Sequence, residues 1–135
     1  MLLDAIFFQS LDLFAAASLE SLTKISEVAR KQFYKKETLI LNRTEAQDSF
    51  VYVLKGWIKL CKESTEGEDI VLDILPTHSY CGDPFIDQPK KNPTYSIHAI
   101  SDIELVKIPL TVIKQAILND HGLALSFLQY NLQKA

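Results

Sequence analysis

The sequence predicts an α+β domain in which an antiparallel β-roll is flanked by N- and C-terminal helices. Helical spacing of apolar residues occurs only near the two ends of the chain, and about eight short strand-like segments lie between them. Strands and helices do not alternate as they would in a parallel βαβ sheet. With 135 residues, 47% of them hydrophobic and 23% charged, the chain is expected to form one packed domain over residues 1–135.

The N-terminal segment MLLDAIFF predicts a helix that packs on the domain. It lacks the basic leading region and the cleavage site of a signal peptide, and Asp4 occurs early in it. Ser18 is placed to cap a second helix. Its apolar positions, spaced three or four residues apart, are Leu19, Leu22, Ile25, Val28 and Ala29.

The middle of the chain alternates between short strands and turns. Strands are predicted over residues 38–41, 49–55 and 57–62. The last two flank Gly56, which suits a hairpin turn because glycine adopts positive φ without a steric penalty. Gly67 is the expected left-handed residue of the following turn.

The next strand ends at Pro76. Because side chains alternate across a strand, Ile70, Leu72 and Ile74 are predicted to point into the roll and Asp73 to point out.

Residues 82–94 contain three prolines and predict a loop that interrupts the sheet. Strands resume over residues 95–99 and 103–108. Pro109 begins a helical tail, where proline is tolerated because the first helical N–H groups are unpaired, and the tail breaks near residues 119–122. Its apolar positions are Leu110, Ile113, Ile117 and Leu118 before the break, and Leu123, Leu125, Phe127, Leu128 and Leu132 after it.

Charge and motifs exclude several classes of function. The net charge of −3 gives no basic surplus of the kind that binds nucleic acid. The sequence has no Gly-rich phosphate loop or G-x-S-x-G turn, so no enzyme is predicted. No apolar run approaches the ~20 residues that span a bilayer, so we expect a cytoplasmic protein without a membrane partner. One basic cluster is interpreted as the solvated face of an edge strand: Arg30, Lys31, Lys35 and Lys36.

Four segments in order carry a resemblance to a known family: Leu13-Phe14, residues 54–60 (LKGWIKL), residues 67–70 (GEDI) and residues 80–83 (YCGD). Their order and spacing resemble the cyclic-nucleotide-binding sensor domain of the CRP/FNR family of bacterial transcription regulators. The resemblance covers nearly the whole chain. It implies a double-stranded β-helix of the jelly-roll type that binds a small-molecule effector.

The resemblance also implies a ligand site in the loop after the YCGD segment. Gly82 would allow a close backbone approach to the ligand, and Asp83 stands where the family usually has a glutamate that bonds the ribose hydroxyl. Pro84 and Phe85 would begin a short helix whose N–H groups favour an anion. Thr94 takes the family's Ser/Thr position when counted back from Ala99, and Tyr95 follows it.

The chain departs from the family at the position of the phosphate-binding arginine, which Pro93 occupies. Proline has neither the charge nor the N–H groups of a bidentate clamp. Lys90 or Lys91 is an alternative point charge without the planar fork of arginine. The cofactor is therefore unknown, either a cyclic nucleotide or a different effector. Asp83 and Thr94 are alternatively interpreted as caps of a surface loop.

The expected function is effector sensing in a CRP/FNR-like transcription regulator, with a signal passed through the C-terminal helix. That helix is expected to be cut short at Ala135, and its apolar residues predict a homodimer. DNA would be bound only through a helix-turn-helix domain absent from this chain. The chain is expected to be the sensor domain of a longer regulator, with a stand-alone domain as the alternative.

Two alternatives remain open from the sequence. One is a ligand-free roll that serves dimerisation or protein interaction, whose pocket Phe85 or Tyr95 would fill. The other, less favoured, is a haem-based gas sensor with His78, Cys81 or His98 as an axial ligand. No zinc or iron–sulfur site is expected, because the sequence has two cysteines.

Overall fold

A computed structural model of the chain describes residues 3–85 and 95–134. They form two four-stranded antiparallel sheets with helices at both ends of the chain, which confirms the predicted α+β roll. Within these ranges no helix combines the length and the apolar character needed to span a bilayer.

The helices lie before, within and after the roll. They are α1 (Ala5–Gln9), a short 3₁₀ helix (Asp12–Phe14), α2 (Leu19–Val28), α3 (Arg43–Ala46), α4 (Leu110–Asn119) and α5 (His121–Lys134). The strands are β1 (Arg30–Tyr34), β2 (Leu39–Leu41), β3 (Ser49–Lys55), β4 (Ile58–Glu63), β5 (Asp69–Leu75), β6 (Tyr80–Cys81), β7 (Ser96–Ala99) and β8 (Ile103–Pro109). One sheet has the order β1-β8-β3-β6 and the other the order β2-β7-β4-β5.

The two central strands of the first sheet, β3 and β8, are buried on both faces. Along β3, Phe50 and Tyr52 pack with the helices, while Val51 and Val53 pack in the second core between the sheets. β8 alternates in the same way. Because successive side chains of a strand point to opposite faces, these two strands supply both cores at once.

Gly56 has the predicted positive φ, at +94°, but the predicted hairpin is wrong. β3 pairs with β8 and β6, whereas β4 pairs with β5 and β7, so the turn carries the chain from one sheet to the other. A side chain at Gly56 would place its Cβ 2.6 Å from the carbonyl oxygen of Asp102. Glycine is therefore required here for two reasons: the positive φ, and the lack of space for a Cβ atom beside Asp102.

The predicted orientation of β5 is also wrong. Asp73 and Leu75 line a cleft, and Ile74 is 51% exposed. Leu60 pairs with Asp73 while Cys61 pairs with Val71, so Leu72 is an extra residue in a bulge. A one-residue slip moves side chains to the other face, and simple alternation then fails. Exposed apolar side chains on this edge strand are Ile70, Val71, Leu72 and Ile74.

β1 is an edge strand, as the basic cluster predicted. Arg30 is exposed. Lys31 is not solvated, because its Nζ lies 2.5 Å from a carboxylate oxygen of Glu104 and its side chain is only 11% exposed. Part of the cluster therefore stabilises the contact between β1 and β8.

The terminal helices bury only part of their predicted apolar faces. In α2, Leu22 and Ile25 are fully buried, whereas Leu19 is 59% exposed. Phe127 in α5 is also fully buried. The exposed apolar residues of the two C-terminal helices are Leu118, Leu125, Leu128 and Leu132.

Asp120 joins the start of α5 to the start of α2. It lies at the predicted break, 8% exposed. Its carboxylate accepts hydrogen bonds from the Ser18 N–H at 2.8 Å and the Leu123 N–H at 3.1 Å. Burial alone would raise the pKa of Asp120, but hydrogen bonds from Ser18, Ser21 and Leu123 outweigh it and lower the pKa to about 2.

We expect Asp120→Asn to lower the free energy of unfolding at pH 7 by about 1–2 kcal/mol. The folded pKa lies below the ordinary value of 3.8, so the stabilisation is complete above pH 3.8 and is lost as the pH falls towards 2. Urea unfolding across this pH range checks it. A deficit of the variant that stays constant down to pH 2 would contradict it. Glu66→Gln, in the exposed β4–β5 turn, is the control and should change stability by less than ~0.5 kcal/mol.

Candidate functional site

A cleft of about 360 Å³ lies between the end of the roll and α5. Strands β4 and β5 form one wall, β6 and the loop after it form another, and the C-terminal half of α5 forms a third. The lining residues are Leu60, Asp73, Leu75, Tyr80, Cys81, Gly82, Asp83, Phe85, Tyr95, Tyr130 and Asn131.

Gly82 begins the loop after β6 with φ at +104°. A Cβ at this position would lie 2.6 Å from the Ser49 carbonyl oxygen and 3.1 Å from the Phe50 Cα. The close approach that requires glycine is therefore made to the backbone at the start of β3. The sequence had assigned that approach to a ligand. Gly82 still lines the cleft, and its local conformation fixes the direction of the loop.

Asp83 is exposed and caps its own loop. Its Oδ1 accepts a hydrogen bond from the Phe85 N–H at 2.8 Å. This contact is the local capping role that the sequence left open beside a ligand role. Pro84 is buried and does not line the cleft, whereas Phe85 is 50% exposed and does.

Tyr95 lies immediately before β7 and lines the cleft. Burial raises the pKa of its hydroxyl, as does the neighbouring Cys81, while a hydrogen bond with the Gly82 backbone lowers it. The hydroxyl of Tyr95 therefore contacts the last residue of β6, Cys81, and the first residue of the loop, Gly82. Thr94, the predicted Ser/Thr position, lies outside the described residues, as do Pro93, Lys90 and Lys91.

The cleft has no arginine. The sequence contains only two, Arg30 and Arg43, which lie in β1 and α3 and do not line the cleft. A guanidinium clamp for a cyclic phosphate is thus missing from it. The charged side chains among its described lining residues are the carboxylates of Asp73 and Asp83.

Helix α5 contacts the cleft through its last two turns. The Tyr80 hydroxyl donates a hydrogen bond to Asn131 Oδ1 at 3.0 Å, and the Tyr80 and Tyr130 rings lie 4.9 Å apart. The ring of Phe127 lies 6.3 Å from that of Phe85 in the loop. Burial raises the pKa of Tyr80 to about 12, which the Asn131 hydrogen bond opposes and the charge of Asp83 reinforces.

Sequence reasoning missed the contributions of α5 and β5 to this site. Phe127, Tyr130 and Asn131 are three and four residues apart, so they share a helix face. That spacing is a signal in the sequence, but it is visible only when the polar Asn131 is considered together with the aromatic residues. For Asp73 no signal was available, because the bulge that turns it towards the cleft is set by pairing with β4.

The structure does not bring the haem candidates together. Cys81 lines the cleft, whereas His78 Nδ1 lies 3.2 Å from the Tyr52 hydroxyl beside a separate cleft. His98 Nε2 lies 2.8 Å from the Ser96 hydroxyl on β7. Both cysteines are buried. Within the described ranges, no three His, Cys, Asp or Glu side chains are grouped to hold a metal ion.

The ligand-free alternative predicted a cleft filled by aromatic side chains. Phe85 and Tyr95 both line the cleft, yet about 360 Å³ stays open between them and the other walls. Cavities that bind small molecules have volumes of about 300–1,000 Å³. The cleft is therefore large enough for a small ligand.

Residues 31–120 match the sequence profile of the cyclic nucleotide-binding domain. The chain belongs to this family. The match covers β1 to α4 and leaves out α5.

Solved structures share the fold at low sequence identity. The sensor domain of the transcriptional regulator DNR from Pseudomonas aeruginosa superposes with a TM-score of 0.76 at 17% identity, covering 96% of this chain and 91% of that one. A transcriptional regulator of the CRP/FNR family from Eubacterium rectale gives a TM-score of 0.74 at 21% identity, covering 90% of this chain and 56% of that one.

A kinase regulatory subunit also has this fold. The regulatory subunit of a cAMP-independent protein kinase A from Trypanosoma brucei has a TM-score of 0.68 at 9% identity, covering 95% of this chain and 45% of that one. The chain spans only 57% of the length of DNR in a second structure of that regulator. No curated protein sequence matches this chain. At these identities the structural likeness shows the fold alone.

Proposed function

We propose that this chain is the effector-sensing domain of a cytoplasmic CRP/FNR-like transcription regulator, and that it has a regulatory rather than a catalytic role. The observation that carries the proposal is the position of the cleft. The loop after β6 and helix α5 form two of its walls, so an occupant touches the site and the signalling helix at once.

The binding residues proposed are those of the predicted loop that reach the cleft: Gly82, Asp83, Phe85 and Tyr95. Pro84 is proposed only to shape the loop, because it is buried away from the cleft. Thr94 stays a prediction outside the described residues. Tyr80, Tyr130 and Asn131 extend the proposed site onto the strand and helix.

The mechanism is a shift between two arrangements of α5. A ligand that contacts Tyr130 and Asn131 binds the two arrangements of α5 with different affinities. This difference shifts the population of the chain towards the arrangement that binds the ligand more tightly. In a longer regulator the bias would pass to a DNA-binding domain beyond this chain. The DNR sensor domain supports this assignment, since it belongs to a regulator and has the same fold.

The proposal predicts that a ligand both stabilises the chain and slows amide exchange in α5. A thermal-shift titration with cyclic AMP, cyclic GMP, small amines, amino acids and carboxylates identifies a probe that binds. At about 100 times Kd, binding adds about 2.7 kcal/mol to folding stability. Hydrogen exchange with that probe should then slow at residues 127–131 more than in the β4–β5 turn. Binding without any change in α5, or no binding by the whole panel, would contradict the proposed function.

We also propose that α5 forms a homodimer interface. Leu125, Leu128 and Leu132 are 43%, 51% and 67% exposed. They are three, four and seven residues apart and therefore share one face. From Gly122 to Gln133 the helix has no charged residue. A second copy offers the same uncharged apolar face, so the pairing is self-complementary.

Leu128→Glu should convert the dimer to a monomer, because two carboxylates would be buried at one interface. Sedimentation velocity measures the change, and the circular dichroism spectrum verifies that the variant is folded. Leu19→Glu is the matched control, since Leu19 is a 59% exposed leucine on α2, and it should stay dimeric. A monomeric wild-type chain at high micromolar concentration would overturn the dimer proposal.

A further inference from the structure

The cleft is lined by aromatic rings and carboxylates. Tyr80, Phe85, Tyr95 and Tyr130 contribute four rings to its walls. An aromatic ring attracts a cation electrostatically through the negative charge of its face. The apolar lining adds Leu60 and Leu75. A ligand with both an apolar body and a positive charge is complementary to such walls.

The two carboxylates of the cleft are not neutralised by the described residues. Asp73 Oδ1 accepts a hydrogen bond from the Ile74 N–H at 2.8 Å, and Asp83 Oδ1 makes the equivalent bond with the Phe85 N–H at 2.8 Å. In residues 3–85 and 95–134, the ion pairs of the chain lie elsewhere, at Lys24–Glu20 and Lys31–Glu104. Neither carboxylate takes part in these ion pairs, and each can contact a ligand.

The charges of the cleft disfavour an anionic ligand. The cleft lacks both arginines of the chain, and its described lining residues include no lysine or histidine. Burial raises the pKa of Tyr80 and of Tyr95, and the negative charge of the nearby Asp83 adds to both shifts. A cyclic phosphate in this position would be repelled by Asp73 and Asp83.

We propose that the cleft binds a small organic cation, an amine with an aromatic or aliphatic body, in place of an anionic cyclic nucleotide. The inference rests on the proposed function and names the chemical class of its effector. The amine lies between Asp73 and Asp83, and the body of the ligand packs among the rings of Tyr80, Phe85, Tyr95 and Tyr130.

Three probes that share a phenylethyl group test the role of charge: phenethylamine, 2-phenylethanol and 3-phenylpropionate, with cyclic AMP as a fourth. Nuclear magnetic resonance titration of the full chain measures each Kd and the residues whose amide signals move. Phenethylamine should bind with shifts at Asp73, Asp83 and Tyr130. 2-Phenylethanol should bind about tenfold more weakly, and 3-phenylpropionate and cyclic AMP should not bind.

Asp73→Asn and Asp83→Asn should each weaken phenethylamine binding about tenfold, since each removes one charged contact. Both substitutions keep an oxygen that can accept the local N–H, so the loop and strand stay folded. Asp69→Asn is the matched control, because it removes the same charge from β5 at a residue that does not line the cleft. It should leave Kd within about twofold of the wild-type value.

The outcomes separate this inference from the proposed function. Binding of cyclic AMP or 3-phenylpropionate at the cleft, with no binding of phenethylamine, overturns the cationic ligand and leaves the sensing role intact. If Asp69→Asn weakens phenethylamine binding as much as the cleft variants do, the inference is also overturned. The cation would then be attracted by the net charge of the chain and not by the two carboxylates of the cleft. Phenethylamine binding with shifts at Asp73, Asp83 and Tyr130, but without slower amide exchange at residues 127–131, supports the inference and contradicts the sensing role. No binding by any of these four probes overturns the cationic ligand alone, because the wider titration panel still tests the sensing role.

Discussion

The packing of Phe127 is the interaction on which the rest of the structure depends. Its ring is fully buried and lies within 6.3 Å of the rings of Phe14, Phe50, Tyr80 and Phe85. These rings belong to the N-terminal segment, β3, β6 and the loop of the cleft. Replacing a buried phenylalanine by alanine typically costs about 3–5 kcal/mol. One side chain of α5 therefore holds together four parts of the chain.

The two ends of α5 are held by different kinds of contact. At its start, Asp120 accepts the Ser18 N–H, and a Cβ at Gly122 would lie 2.2 Å from the Ala16 carbonyl oxygen. Backbone contacts of this kind leave little room for movement. Towards its end the helix is held by the side chains of Tyr130 and Asn131, which also line the cleft. Movement caused by a ligand is consequently expected in the last turns, next to the exposed leucines.

Local signals in the sequence predicted local structure well. Ser18 caps α2, Gly56 and Gly67 have positive φ, and Pro76 follows the last residue of β5. Each of these features depends on a residue and its immediate neighbours. The roll, its flanking helices and the position of the loop after β6 followed from the order of such signals.

What the sequence could not predict depends on pairing between distant strands. The turn at Gly56 has the same local chemistry whether it joins a hairpin or crosses between sheets. The bulge at Leu72 arises from pairing with β4, and it reversed the predicted orientation of Asp73. The candidate site was accordingly predicted on its loop side, at Gly82, Asp83, Phe85 and Tyr95, and missed on the β5 and α5 sides.

A double-mutant cycle on Tyr80→Leu and Phe127→Leu tests most directly whether the cleft and α5 are energetically coupled. The two rings lie 5.2 Å apart at an interplanar angle of 62°. Urea unfolding of the two single variants and the double variant should give a coupling free energy of about 0.5–1.5 kcal/mol. Tyr80→Leu combined with Ile58→Val, in the core between the sheets, should be additive. A coupling free energy below ~0.3 kcal/mol for Tyr80 and Phe127 would contradict the account, because α5 would then be energetically independent of the wall of the cleft.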